Sequence, residues 1–278
     1  MICDIAVPVQ SESNRPAWPA QGYAISLAAI FGAHLTAVAP SFVQSVLGML
    51  RAEIPAELIE EAERQSDMAA QTAISAFEER AAHAGVLHQS VVQRGGPAEF
   101  AHAFATRARA FDLTVVPQPE GEGLWERELV EAVLFDSGRP ALIVPYIHQG
   151  EAQIERVLVA WDGSKEAARA VHDALPLLRR AEAVEVLTIH TERRRTDAFI
   201  PGADLATHLA RHGLQVSAKG LDGIGIGVTE ALLSHAADTE VDLVVMGSYA
   251  HSRLRHLVFG GATSGILSAM TSPVLMAH

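Results

Sequence analysis

The sequence predicts an α/β fold of two tandem doubly wound domains, each a five-stranded, mainly parallel sheet with helices on both faces. Short apolar runs alternate with helical patterns along the 278-residue chain. The runs are apolar almost throughout rather than at every second residue, which fits strands covered on both sides. The chain also repeats itself once. "HAGVLHQSVV", "FDLTVVPQP" and "SGRPALIVPY" in the first half return as "RHGLQVSAKG", "VDLVVMGSY" and "MTSPVLMAH" in the second. The landmarks Gly85, Asp112 and Pro140 recur as Gly213, Asp242 and Pro273 at nearly equal spacing. The polar, glycine-bearing "IHQGEAQIE" around Gly150 marks the boundary, giving units at 1–149 and 153–278.

In order, "MICDIAVPV" reads as a first strand, with Cys3 as a small buried hydrophobe. No charged residue stands between Pro16 and Leu50. The apolar core of that stretch, Ala24 to Ala39, is shorter than the ~20 residues a membrane span needs and ends at Pro40. It reads as a buried helix running into a buried strand. The next helix is long and charged, from about Ala52 to Ala84, with Pro55 in its first turn. In the second half "ERVLVAW" is a strand and "SKEAARAVHDALPLLRRA" an amphipathic helix capped by Ser164. "AVEVLTIH" follows as a strand, "GADLATHLARHG" as a helix closed by Gly213, and "LQVSAKG" as a strand. "VTEALLSHAAD", "VDLVVMG", "ATSGILSAM" and "SPVLMAH" continue the alternation as helix, strand, helix, strand.

Composition narrows the function. Apolar residues make up 49% and charged residues 19%, a globular balance. A net charge of -12 opposes adhesion to nucleic acid or anionic lipid, so neither nucleic acid nor membrane is an expected partner. One cysteine excludes an intrachain disulfide and fits a reducing, cytoplasmic setting.

In a doubly wound sheet, ligands bind beyond the carboxyl ends of the strands where strand order reverses. The first strand of the second half ends in "AWDGS", placing Asp162 and Gly163 just past the sheet, where Asp162 can accept hydrogen bonds from a ribose. The second ends at Thr188, Ile189 and His190. The fourth ends at Met246-Gly247 and leads through a basic loop to Gly260-Gly261 and a helix. Glycines let backbone amides approach a ligand, and a helix start there favours phosphate. His251, Arg253, Arg255 and His256 add positive charge; Ser248, Ser252, Thr263 and Ser264 add hydroxyls. Together these outline a nucleotide site.

With these residues the second half resembles a universal stress protein domain. The ATP-binding branch of that family carries Gly, two residues, Gly, nine residues, then Gly-Ser or Gly-Thr. Gly247 and Gly260 match the first and third glycines, Ala250 stands where the second belongs, and Gly261 replaces the hydroxyl residue. The resemblance extends to Asp162, to "GAHLTAVA" and to "PALIVP", and covers nearly the whole chain as two tandem domains. It implies a nucleotide-dependent regulatory protein of the stress response, with at most slow ATP hydrolysis. The ligand it implies is ATP, with AMP or ADP and a companion Mg as open alternatives, and it implies a homodimer. The site expected is Asp162 at the nucleoside, Thr188, Ile189 and His190 at the base, and Gly247, Gly260, Gly261 and Thr263 as the phosphate cradle with help from Arg253 or Arg255, with Gly163, Met246, Ala250 and Ala262 completing it. A missing hydroxyl at Gly261 removes a hydrogen bond worth roughly 0.5–1.5 kcal/mol. The first half carries Glu120, Glu122, Glu126 and Glu128 where phosphates would lie, and no aspartate after its first strand, so it reads as a degenerate copy.

Other readings stand beside this one. His208 and His212 share a helix face without a third ligand and read as a surface pair rather than a zinc site. Trp161 reads as a strand-end core residue, and "ERRRTD" at 192–197 as a solvated loop. The competing function is a nucleotide-free dimeric interaction module in which both sites have decayed, for which Ala250 and Gly261 are the support.

Overall fold

The computed structural model describes residues 1–10, 19–42, 55–120, 124–190, 202–223, 225–248 and 261–278. The first half runs β1 (Asp4–Pro8), α1 (Pro19–Phe31), β2 (His34–Phe42), α2 (Ala56–His83), β3 (His88–Gly95), α3 (Pro97–Ala108), β4 (Leu113–Pro117), α4 (Leu124–Asp136) and β5 (Ala141–Val144). The second runs β6 (Arg156–Ala160), α5 (Lys165–Leu178), β7 (Ala183–His190), α6 (Ala203–Arg211), β8 (Val216–Asp222), α7 (Val228–Asp238), β9 (Leu243–Gly247), α8 (Gly261–Ala269) and β10 (Val274–Ala277).

The ten strands of the described residues join one sheet in the order β3-β2-β1-β4-β5-β10-β9-β6-β7-β8. Pairing is parallel within each half, and the halves meet where β5 and β10 run antiparallel with Leu142 opposite Leu275. These two short strands are apolar throughout, and each satisfies the other's backbone groups. The antiparallel seam has a geometric result used below. It puts the amino ends of the first-half strands on the same edge of the sheet as the carboxyl ends of the second-half strands.

Two cores lie on the two faces. One holds Tyr23 and Leu27 of α1, Phe77 of α2, Val171 and Leu178 of α5 and Leu209 of α6. The other holds Phe100 and Phe104 of α3, Leu129 of α4, Leu232 of α7 and Ile266 of α8. Along β6, Val157 and Val159 face the first core and Leu158 the second, as the period of two requires.

The repeat landmarks acquire a physical cause. Asp112 Oδ2 accepts the amides of Cys3 (2.7 Å) and Asp4 (3.1 Å), and Asp242 Oδ2 accepts those of Glu155 (2.9 Å) and Arg156 (2.7 Å). Each aspartate satisfies the otherwise orphaned amides that enter the first strand of its half. Gly85 and Gly213 take left-handed φ values of 68° and 85° just past α2 and α6, a conformation that side chains resist.

Two expectations change. Cys3 is exposed, because β1 begins one residue later and the preceding backbone is turned to Asp112. The long charged helix begins at Ala56, with Pro55 at its N-cap and extended, while 52–54 lie outside the described residues. Between the halves, Ala152 donates its amide to Ser26 Oγ (2.7 Å) and His148 meets Tyr23 edge-on at 5.2 Å. Gln118, following β4, donates from Nε2 to the Leu267 carbonyl of α8 (2.8 Å). Among the described residues, no helix is long and apolar enough to cross a membrane.

Candidate functional site

Strand order reverses at β6, which pairs with β7 on one side and with β9 on the other. The helices that follow β6 and β9 leave on opposite faces and open a crevice at the carboxyl ends. Ala160 lies opposite Leu187 and Val159 opposite Val245, so Asp162, the end of β7 and Gly247 stand at nearly one level.

Asp162 is exposed, and its Oδ1 accepts the Ser164 amide at 2.9 Å. Between them Gly163 has a φ of 78°, a value the turn needs. Ser164 Oγ then accepts the Ala167 amide at 3.0 Å and caps α5. The turn therefore fixes where the Asp162 carboxylate stands.

The end of β7 is enclosed by glycines. Thr188 Oγ1 is buried and has no hydrogen bond among the described residues. Gly202, at the N-cap of α6, lies over it. A Cβ there would come within 2.8 Å of Val186 Cγ1, 3.2 Å of Thr188 Oγ1 and 3.7 Å of Trp161 Cδ1. Sequence reading missed Gly202 as part of this wall; the Pro201-Gly202 pair before a helix was the available signal. The His190 ring rests on Gly220, with Nε2 2.9 Å from where a Cβ would be, and Ile189 Cγ2 comes as close to Gly223, at 2.7 Å. Trp161 is half-buried against the first core.

At β9, Met246 is buried, and Gly247 has a tighter constraint than a loop exit. A Cβ there would lie 2.5 Å from the Ala167 amide nitrogen and 2.7 Å from the Glu166 carbonyl carbon. Glycine is demanded by the first turn of α5, which presses on this strand end. The Ser248 amide and hydroxyl both donate to the Ala277 carbonyl, at 2.9 and 3.1 Å, so that hydroxyl ties β9 to β10. Ala250, His251, Ser252, Arg253, Arg255, His256 and Gly260 lie outside the described residues. Gly261 opens α8, exposed, with nothing within 4 Å of an added Cβ. Ala262 is half-buried and Thr263 fully buried beneath it.

The first half has the same reversal at β1, with different residues. Gln10 stands where Asp162 does, its Oε1 buried and without a hydrogen bond among the described residues. Trp125 of α4 packs edge-on against Phe42 (5.4 Å) and Phe100 (6.3 Å). Glu126 is buried, Glu120 and Glu128 are exposed, and Glu122 lies outside the described residues. A separate cleft of about 270 Å³ lies between α2 and the ends of β2 and β3, lined by Ser41, Glu60, Glu63, Arg64, Asp67 and Arg94. Two of its charges, Asp67 and Arg94, are spent on each other. Ser41 Oγ (2.6 Å) and Arg94 (Nε 3.1 Å, Nη2 2.6 Å) both donate to Asp67, and together hold its carboxyl below the usual range. Arg64 pairs with Glu61. His208 and His212 meet edge-on at 4.8 Å, and among the described residues no three His, Cys, Asp or Glu side chains are placed to hold a metal ion.

Comparison with known proteins follows this geometry. Residues 153–278 match the Universal stress protein family. A universal stress protein of Synechocystis sp. is 26% identical over 147 residues, covering 52% of this chain and 49% of that protein, so the match spans about half the length of the curated relative. The crystal structure of a universal stress protein from Archaeoglobus fulgidus aligns over 99% of this chain and 97% of its own, with 14% identity and a TM-score of 0.75. A putative universal stress protein from Pseudomonas aeruginosa aligns over 99% and 93%, with 14% identity and a TM-score of 0.55. At such identities the structures speak for the fold, and the matched sequence of the second half speaks for descent. Residues 153–278 therefore carry a Universal stress protein family domain, and the whole chain has the fold of a universal stress protein structure that aligns over 99% of it.

Proposed function

We propose that the chain is a regulatory protein that binds one adenine nucleotide, ATP or a close relative, in its second half. The observation that carries this is the crevice at β6 and β9. There the Asp162 turn, the glycine-walled end of β7 and the strand leading toward the start of α8 converge. Asp162, held by the turn, suits a ribose hydroxyl. The first amides of α8, with an exposed Gly261 in front of open space, suit a phosphate. The first half takes no nucleotide in this reading, since Gln10 replaces the aspartate and Trp125 fills the face beside Phe42. Ordering of the ligand against α8 would change a surface that a protein partner can read.

Calorimetric titration of the nucleotide-free protein with MgATP tests this. One site per chain, lost in Asp162→Ala with the fold retained, is the expected result. Two sites would overturn the reading of the first half. No saturable heat at millimolar MgATP would favour a nucleotide-free dimeric interaction module instead.

A further inference from the structure

Gln118 and Ser248 hold equivalent places, each directly past the fourth strand of its half and equally far from Asp112 and Asp242. Their backbones behave alike: the Gln118 amide donates to the Val144 carbonyl at 2.8 Å, and the Ser248 amide to the Ala277 carbonyl at 2.9 Å. Their side chains do not. The Ser248 hydroxyl stays in its own half, on the same Ala277 carbonyl. The Gln118 side chain crosses the seam. Its Nε2 donates to the Leu267 carbonyl of α8 at 2.8 Å, and its Oε1 accepts the Tyr146 amide of the connection at 3.2 Å. Gln118 is 3% exposed, so a primary amide has been taken out of water and committed to these partners.

The antiparallel seam is what brings them together. It sets the carboxyl end of β4 on the same edge as the amino end of β10, and the last turn of α8 lies at that edge because β10 follows it. There α8 lacks donors. It spans Gly261–Ala269, and the carbonyls of a last turn have no later helical amide to accept from. The Met270 amide takes the Ile266 carbonyl at 2.8 Å, and Gln118 takes the next one. Against α7 the helix packs closely at Gly265, where a Cβ would come within 2.8 Å of Thr229 Cγ2, and on the apolar Leu232 and Ala236. Apolar packing is non-directional and leaves the position along the helix axis loosely set. A hydrogen bond at the last turn sets it. Gly261 to Leu267 spans about 9 Å of helix, a rigid rod at this length, so what fixes one end fixes the other.

We propose that Gln118 of the first half is a positioning residue for the nucleotide site of the second: by holding the last turn of α8 it sets where the first turn presents its amides to phosphate. The inference rests on the nucleotide-binding reading above. A second bond between the halves supplies the comparison. Ser26 Oγ, which accepts the Ala152 amide at 2.7 Å, belongs to α1, and α1 covers the opposite face of the sheet from α8.

The test titrates adenosine and MgATP into the wild-type chain, Gln118→Met, Gln118→Ser and the control Ser26→Ala. Methionine keeps the length of Gln118 without its donor. Serine is the residue of the equivalent place and is too short to reach α8, which gives a second variant should the first fail to fold. Either Gln118 variant should bind MgATP about three- to ten-fold more weakly, while its adenosine affinity, which also reports an intact fold, stays within about two-fold. Without ligand, the amides of α8 should exchange with deuterium faster in both. Ser26→Ala should keep the wild-type ratio of the two affinities. An unchanged ratio in the Gln118 variants, or an equal fall in Ser26→Ala, would overturn the positioning role and leave the nucleotide site standing. A wild-type chain that binds neither ligand would overturn both.

Discussion

Gly247, Gly261 and Thr188 were all expected around one ligand, yet the structure gives them three different physical situations. Gly247 is a packing glycine. An added methyl would sit inside contact distance of the Ala167 amide, so Gly247→Ala should cost about 1–3 kcal/mol and lower the melting temperature by several degrees. Thermal unfolding reads this directly, and a melt equal to wild type would mean α5 can step away from β9. Gly261 faces open space at an ordinary φ, so Gly261→Ser should fold normally and add a donor at the start of α8. If phosphate lies there, its MgATP affinity should rise by about two- to ten-fold, and an unchanged affinity would place the phosphates elsewhere. Thr188 carries a buried hydroxyl with no partner among the described residues, a cost that valine removes at nearly the same shape. Thr188→Val should therefore raise stability by about 1 kcal/mol. A loss of stability would show that the hydroxyl is satisfied in solution.

At the level of elements, much was legible because most strands are short apolar runs bounded by glycine, proline or a capping serine. Ser164 was readable as an N-cap, and its Oγ holds the Ala167 amide; Ser164→Ala should cost roughly 1 kcal/mol in chemical denaturation. The repeat was readable too, though not its reason. Asp112 and Asp242 looked like spacing marks and are acceptors for two entering amides each. Cys3 went the other way, since an apolar neighbourhood in sequence does not locate the first paired residue of a strand. Within the site, Asp162 and the helix start at Gly261 follow from local pattern. The wall made by Gly202 and Trp161 does not, because it joins residues about forty positions apart whose closeness only the sheet register decides.

For the molecule as a whole, stability depends on how the halves are joined. His148 lies in the connection between them, partly buried against Tyr23, and burial lowers its pKa below the ordinary imidazole value. A base whose folded pKa is depressed binds protons more readily when unfolded. Its contribution is fully present above the unfolded value of about 6.5 and declines as pH falls toward the folded one. The wild-type melting temperature should therefore fall more steeply between about pH 7 and 5 than that of His148→Leu, measured as the difference between the two pH profiles. Parallel profiles would mean that the connection opens before His148 takes its proton.

The β5–β10 seam also bears on how such a protein tolerates dilution and change. Two separate copies meeting through the same edge would part as their concentration fell, whereas here the partner edge arrives on the same chain and pairing is independent of abundance. Separate identical copies would also have to carry every substitution twice, once on each side of their axis. A covalent pair escapes that symmetry, so the two copies can diverge at equivalent places. Arg109 and Thr239, the C-caps of α3 and α7 at equivalent places in the two halves, are a difference that no symmetric dimer of identical chains can carry.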